Sequence, residues 1–482
     1  MMPIIRPLRT GPAAFVLSVL FLSVTALLTL FSCKKTDPAE LKRLAKARDA
    51  KARRDAITAF VSGLSDEQKI SQLFLVNVEG NESFSPVEKT GALYGKKDEG
   101  DPLVPGGCLL FSYNISDSAQ KIRSYTDSIR RFYADNDMVP PYIAIDQEGG
   151  YVNRLRGVTS NLVSQKKVTE WFTAEQAHGL YAAQAKQLRA LGLQMNLAPV
   201  VEVETDGNRD FLDTRSFGTL EKVIAYGKEA ISAYEENGVA AVLKHFPGNN
   251  NTDPHTGLPR IDLASPETAQ SLVAPFSALS PLSSALLMSH IVARFSGNPP
   301  ESASHSYEPS LPEQTRMPAC FSPYWVNSAR SFLSPADSLR DDFGTLIFSD
   351  DIFMGALSDN GYPPDIAVVS AIDAGVNCIM LSEKVFGEVA GVLLLKSKVT
   401  DTLSQTEQKK AASLSAKINE SVARVTAFKI KAGLLQFVPV PNEKGEIDQE
   451  NPVYTVVRAS ELPPFDESAY KSAYDEGMSF YR

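Results

Sequence analysis

Lys244 and His245, followed in one polar loop by Asp253-Pro254-His255, gather a cationic amine, two imidazoles and a carboxylate within a short stretch. Such groups bind hydroxyls and move protons. In an Asp-x-His pair the carboxylate can fix one tautomer of the imidazole and raise its proton affinity, giving a proton donor on a movable arm. The same residues also suit a turn capped by Asp253 with His255 merely solvated. Further along, Ser349-Asp350-Asp351 brings two adjacent carboxylates. Side chains alternate along a strand, so only one of them can face a shared site, and Asp350, which directly ends an apolar run, is the expected one.

These residues need elements that aim them at one place. Eight apolar, β-like runs are readable: 72–78, 106–111, 142–146, 195–201, 239–245, 285–290, 345–350 and 377–381. Stretches of helical length and amphipathic pattern lie between most of them, among them 119–134, 173–190, 220–237 and 266–279, and a last helix is expected over 405–435. Strands that are apolar nearly throughout, alternating with helices, indicate a parallel sheet covered on its faces, and eight such units predict an α/β fold of the closed (β/α)8, TIM-type barrel class. An open doubly wound sheet is the alternative, but no G-x-G-x-x-G follows a strand. Asp146, Glu202, Lys244, His245, His290 and Asp350 all fall at the C-terminal end of a run, the face on which barrel sites are built.

Composition narrows the partners. The formal charge is -9, so nucleic acid is not an expected partner. Two arginines precede an uncharged apolar stretch from Ala13 to Phe31, which fits a secretory signal, and Leu30-Phe31-Ser32-Cys33 resembles the lipobox of bacterial lipoproteins. This predicts an exported chain, lipidated at Cys33 and held to a bacterial membrane, with an uncleaved N-terminal anchor as the alternative. Leu41 to Asp55, rich in Lys, Arg and Ala, reads as a solvated helical stalk. Cys108, Cys320 and Cys378 are widely spaced and read as buried small hydrophobes, not as a disulfide framework or metal site. The organisation expected is a signal peptide (1–32), a lipidated stalk (33–63), one barrel domain (64–435) and a short C-terminal tail (436–482). The long connections 79–105 and 293–318 are read as loops beside the mouth.

The runs Ile145-Asp146-Gln147-Glu148-Gly149-Gly150, Leu197-Ala198-Pro199-Val200, Arg215-Ser216-Phe217-Gly218, Lys244-His245-Phe246-Pro247-Gly248 and Ser349-Asp350-Asp351 with Met354 stand in the order seen in glycoside hydrolase family 3. Asp253-Pro254-His255 with Leu258-Pro259 is similar to the β-N-acetylhexosaminidase branch of that family. The resemblance implies a retaining exo-β-N-acetylhexosaminidase in which Asp350 is the nucleophile, His255 the acid/base and Asp253 its partner. Residues matching the family's sugar-binding positions are Asp146, Arg154, Arg215, Lys244 and His245. Glu148 and Glu202 would brace the site, and His290 would be either a hydrogen-bonding support or a buried structural histidine. The substrate implied is a glycan carrying terminal N-acetylglucosamine, with no metal or organic cofactor. The chain departs from the family pattern at Asn249-Asn250, where His-Gly is usual, at Pro254 within the dyad, and at Tyr151. Another β-glycosidase, a glycoside phosphorylase, and a catalytically weak glycan-binding lipoprotein are the competing readings.

Overall fold

The computed structural model describes residues 38–84, 103–295, 315–333, 345–382, 385–460 and 462–482. Eight strands close into a barrel: β1 (Phe74–Asn77), β2 (Gly107–Leu110), β3 (Tyr142–Ile145), β4 (Met195–Asn196), β5 (Ala240–Phe246), β6 (Ala285–Met288), β7 (Leu346–Asp351) and β8 (Cys378–Ser382). Each is parallel to the next, and β8 returns to β1 in the register Ile379↔Phe74. The α/β barrel expected from the run of apolar segments is therefore the fold observed. Among the described residues a helix follows every strand from β2 onward: α2 (Ala119–Asp135), α3 (Ala174–Ala190), α4 (Leu220–Glu236), α5 (Pro266–Leu279), α6 (Pro323–Leu333), α7 (Pro364–Ala374) and α8 (Phe386–Ser397). Helix α1 (Pro38–Gly63) precedes the barrel, and α9 (Gln405–Lys431) and α10 (Glu467–Ser479) follow it. Polar residues fix where helices begin: Thr173 with Gln176, and Ser404 with Glu407, form reciprocal capping boxes at α3 and α9.

Alternation along the strands produces two cores. Leu75, Leu109, Tyr142, Ala144, Met195, Ala240, Val242, Ala285, Leu287, Leu346, Phe348 and Cys378 fill the barrel interior, whereas Val76, Cys108, Ile143, Ala241, Leu243, Leu286, Ile347 and Ile379 face the helices. The floor of the barrel is closed by Val425, Phe428 and Leu434 at the end of α9. Helix α9 stops at Lys431, short of the expected Leu435. Gly433 takes φ 75°, and the Leu434 N–H turns back to the Lys429 carbonyl at 2.8 Å, ending the helix so that Leu434 can enter the interior. Lys429 is carried into that floor, where it donates to Gln72 Oε1 at 2.5 Å, and burial pushes its ammonium down to about 7.

Strand β4 is also shorter than its apolar run predicts. Pro199 has no N–H to give the ladder, and only Val200 bridges to Lys244 beyond it. The C-terminal segment folds onto the barrel: β9 (Leu435–Pro439) and β10 (Tyr454–Arg458) form an antiparallel hairpin, and α10 packs along α3. The stalk helix is present but not free-standing. Its charged first half is largely exposed, yet Ala56, Ile57 and Val61 join the outer core. Asp49 accepts from Tyr454 Oη at 2.6 Å, and Arg53 lies over the rings of Phe437 and Tyr454. The hairpin offers two aromatic faces to the Arg53 guanidinium and a hydroxyl to the Asp49 carboxylate. Cys33 and most of the two long connections lie outside the described residues. No helix among the described residues is long and apolar enough to cross a membrane.

Candidate active site

The alternation that fills the interior also decides which side chains crown it. Two residues beyond Ala144 is Asp146, beyond Val242 is Lys244, beyond Phe348 is Asp350, beyond Leu75 is Asn77, beyond Leu109 is Phe111, and beyond Cys378 is Met380. All six line a cavity of about 350 Å³ at the C-terminal mouth, together with Arg154, Arg215, His245, Asn249, His255 and Asp351. Of two adjacent carboxylates, Asp350 is thus the one that continues the inward row of β7.

Lys244 and its neighbours form a dense ionic cluster. Its Nζ lies 2.6 Å from Asp146 Oδ1 and 2.6 Å from Glu148 Oε1. Arg215 reaches the same Glu148 with Nε and Nη2, each at 2.8 Å. Glu148 stands on the small hairpin Gln147–Gly149 with Val152–Asn153, turned by Gly149 and Gly150 at φ 95° and 60°; a Cβ on Gly149 would meet the Val163 carbonyl at 2.4 Å. Burial pushes the Glu148 carboxyl up, but Lys244 and Arg215 outweigh it and hold it well below the ordinary carboxylate range. For Asp146, burial prevails over the pull of Lys244 and the carboxyl is raised. Two carboxylates share one ammonium, and the one that lacks an arginine is the easier to protonate.

Beside this cluster, His245 gives its Nδ1 proton to Glu202 Oε1 at 2.6 Å, which also accepts from Asn249 Nδ2 at 3.2 Å. A carboxylate on Nδ1 assigns the proton to that nitrogen and leaves Nε2 as the acceptor, turned toward Arg215 Nη2 at 3.5 Å. Glu148 and Glu202 are each 1% exposed; Glu148 gives both oxygens to Lys244 and Arg215, whereas Glu202 uses Oε1 alone and its buried Oε2 has no hydrogen-bond partner among the described residues, so both stand behind the lining. Phe211 stacks edge-on against His245 and lies 5.6 Å beneath the Arg215 guanidinium.

Asp350 accepts the N–H of Asp351 at 2.9 Å, and Asp351 in turn accepts the N–H of Phe353 at 2.9 Å. Burial raises the Asp351 carboxyl to about 6. His290 combines both roles weighed for it. It is buried, which lowers its basicity against the pull of Asp350, and its ring bonds the Asp351 carbonyl at 2.9 Å and Cys320 Sγ at 3.3 Å. It therefore holds the backbone that carries the carboxylate pair.

The proton-transfer candidate lies on the loop after β5. His255 Nδ1 donates to Asp253 Oδ1 at 2.8 Å, and the His255 backbone N–H meets the same oxygen at 2.9 Å. The backbone bond is the larger of the effects that lower the Asp253 carboxyl. The His255 side chain is 70% exposed while still lining the cavity with Pro254, as an arm over an open mouth requires. Asp253 therefore caps the turn, as one reading expected, and the same hydrogen bond holds the His255 ring at the cavity. Of the predicted site residues, Asp350, His255, Asp146, Arg154, Arg215, Lys244 and His245 all line the cavity, and Asp253 touches it through His255. Arg154 lies 5.5 Å over the ring of Phe111, and its Nε makes no hydrogen bond among the described residues. Sequence reasoning missed Asn77, Phe111, Phe211 and Met380. The first, second and last of these follow from the two-residue alternation once strand ends are fixed, whereas Phe211 sits on a connection with no periodic signal. Among the described residues no group of three or more His, Cys, Asp or Glu side chains could hold a metal ion.

Comparison with known proteins supplies a context for this geometry. Residues 66–428 match the glycosyl hydrolase family 3 N-terminal domain. A beta-hexosaminidase A of Pseudoalteromonas piscicida is 34% identical over 180 residues, which is 36% of this chain but only 30% of that protein, so the chain matches less than a third of its length. A beta-hexosaminidase of Alkalilimnicola ehrlichii is 28% identical over 287 residues, covering 57% of this chain and 73% of the relative. Among solved structures, a family 3 beta-N-acetylglucosaminidase from Paenibacillus superposes with a TM-score of 0.57 at 23% identity, over 79% of this chain and 71% of the other. At that identity the superposition speaks to the fold.

Proposed function

The chain belongs to glycosyl hydrolase family 3 and is a glycoside hydrolase, and from that membership we propose that it is a retaining exo-β-N-acetylhexosaminidase. Its substrates would be glycans with terminal β-linked N-acetylglucosamine, such as peptidoglycan fragments or chito-oligosaccharides. The observation that carries this reading is the meeting, at one cavity of about 350 Å³, of an inward carboxylate, Asp350, with an imidazole, His255, already held by Asp253 at 2.8 Å. The names of the two relatives lend support.

In the first step Asp350 attacks the anomeric carbon; the new carbon–oxygen bond forms as the glycosidic bond breaks, and the leaving oxygen takes the proton of His255 Nε2. In the second step water gives a proton back to His255 and displaces Asp350 from the sugar. Asp253 keeps the other ring nitrogen protonated throughout, so that Nε2 is the nitrogen that cycles. Around the sugar, Asp146 accepts from hydroxyls, while Lys244, Arg154 and the remaining N–H groups of Arg215 donate to hydroxyls and to the acetamido oxygen. His245, with Nε2 as acceptor, takes one more hydroxyl.

The direct test is hydrolysis of a chromogenic β-N-acetylglucosaminide beside the matching β-glucoside, in the wild type and in Asp350→Asn. Turnover of the acetamido sugar alone, abolished in the variant, is the expected result. Preference for the glucoside, or no turnover with glycan binding intact, would overturn it in favour of another glycosidase or a glycan-binding protein. Appearance of sugar 1-phosphate on adding inorganic phosphate would identify a phosphorylase. We further propose export and lipid anchoring at Cys33. Mass analysis of the mature N-terminus tests this, and an unmodified Met1 refutes it.

A further inference from the structure

A cavity of about 350 Å³ suits a single sugar ring, so on the reading above the rest of a glycan must lie outside it. Among the exposed rings of the described residues, Tyr113 follows the strand end that carries Phe111 into the cavity wall. Tyr113 is 51% exposed. It sits on a short turn, Ser112–Asn114, that is anchored from below. Asn114 is fully buried and donates to the carbonyls of Val78 at 2.8 Å and Gly80 at 2.6 Å, while accepting the Phe111 N–H at 2.8 Å. The ring itself is held twice more. Its hydroxyl accepts from Asn77 Nδ2 at 2.9 Å, and its plane lies within 14° of the Phe111 ring at a centroid distance of 6.0 Å.

Both holding residues, Asn77 and Phe111, line the cavity, and Arg154 covers Phe111 on the cavity side. The row Arg154, Phe111, Tyr113 therefore runs outward from the pocket wall to the surface. A flat aromatic face with its orientation fixed on both edges pays little entropy on binding, and the apolar C–H face of a pyranose is the surface that complements it. Topology places it on the useful side. Tyr113 follows β2, three strands round the barrel from β7 and so nearly across the mouth from Asp350. In-line displacement at the anomeric carbon sends the leaving group away from the nucleophile.

We propose that Tyr113, stacked on Phe111, is the platform on which the second sugar of the substrate, the leaving-group residue, stacks. The class of ligand is a β-linked oligosaccharide of N-acetylhexosamine, and the proposal rests on the exo-hydrolase reading. The test compares two substrates in the same enzyme: N,N′-diacetylchitobiose, which presents a second sugar, and N-acetylglucosaminyl fluoride, which presents none. The expected result for Tyr113→Ala is a fall of about tenfold in the ratio of kcat/KM for the disaccharide to that for the fluoride, carried mainly by KM. Tyr113→Phe, which keeps the ring, restores most of the ratio. An unchanged ratio in Tyr113→Ala, or one lost equally in Tyr113→Phe, would overturn the proposal. Failure of the wild type to turn over either substrate would instead count against the hydrolase reading, so the two failures are separable.

Discussion

Replacing Asp351 by Asn is expected to stabilise the protein at neutral pH, although the residue sits in the candidate active site. Burial holds its carboxyl at about 6, against roughly 3.9 in an unfolded chain. Between these values the native state binds more protons than the unfolded one, so stability falls as pH rises from about 4 and the deficit is complete above about 6. Two units correspond to about 3 kcal/mol; Asp351 keeps some contact with solvent, which reduces the expected gain from Asp351→Asn to about 2 kcal/mol. The amide oxygen of Asn still accepts the Phe353 N–H, so the turn below is not lost. Urea unfolding of wild type and variant at pH 5 and pH 7.5 measures the effect. The gap between them should at pH 5 be about half its value at pH 7.5, because the wild type has by then recovered part of its stability while the variant does not titrate. A variant less stable than the wild type at pH 7.5, or a gap that ignores pH, refutes the reasoning. Such a gain would also mean that the site keeps a destabilising carboxyl beside Asp350, as expected where function and stability compete.

Other outcomes follow from the same geometry. Lys429 is held near 7 in the barrel floor, far below an exposed lysine, so its penalty is complete below pH 7 and fades as pH rises toward 10. Lys429→Met should raise stability at pH 7 by about 2 kcal/mol after Gln72 loses its donor, and the gain should shrink at pH 9 in denaturant titrations. Glu148→Ala leaves Lys244 with Asp146 as its ion-pair partner and removes the carboxylate that Arg215 grips with two nitrogens, and should cost about 3–5 kcal/mol in the same titrations. Asp253→Ala should lower kcat on the N-acetylglucosaminide by about 10²-fold without moving the melting temperature, because the pair is exposed; a matching loss of stability would recast Asp253 as a structural cap.

Much of this arrangement is legible in the chain itself. Eight apolar runs separated by helical lengths specify a parallel sheet covered on both faces, and their number points to a closed barrel over an open doubly wound sheet. Their polar ends, Asp146, Lys244 and Asp350, fall on one face because every strand points the same way, and the two-residue alternation selects Asp350 over Asp351. Asp253 and His255 are near neighbours, so their hydrogen bond is a local matter.

What the sequence leaves open is everything that depends on residues far apart in the chain. That Glu148 serves Arg215 and Lys244 at once, that Glu202 fixes the tautomer of His245, and that His290 holds the Asp351 carbonyl are consequences of barrel closure bringing separate strand ends to one mouth. The docking of α1 on the C-terminal hairpin is of the same kind: nothing within Leu41 to Asp55 marks Asp49 or Arg53 as different from the other charges of that helix. Tyr113 shows both kinds of contact: Phe111, two residues before it, is a local partner, whereas Asn77 reaches its hydroxyl only because β1 and β2 lie side by side in the closed barrel. Local pattern sets which residues can reach a common face; closure of the barrel, a long-range event stabilised by two buried cores, decides which of them touch.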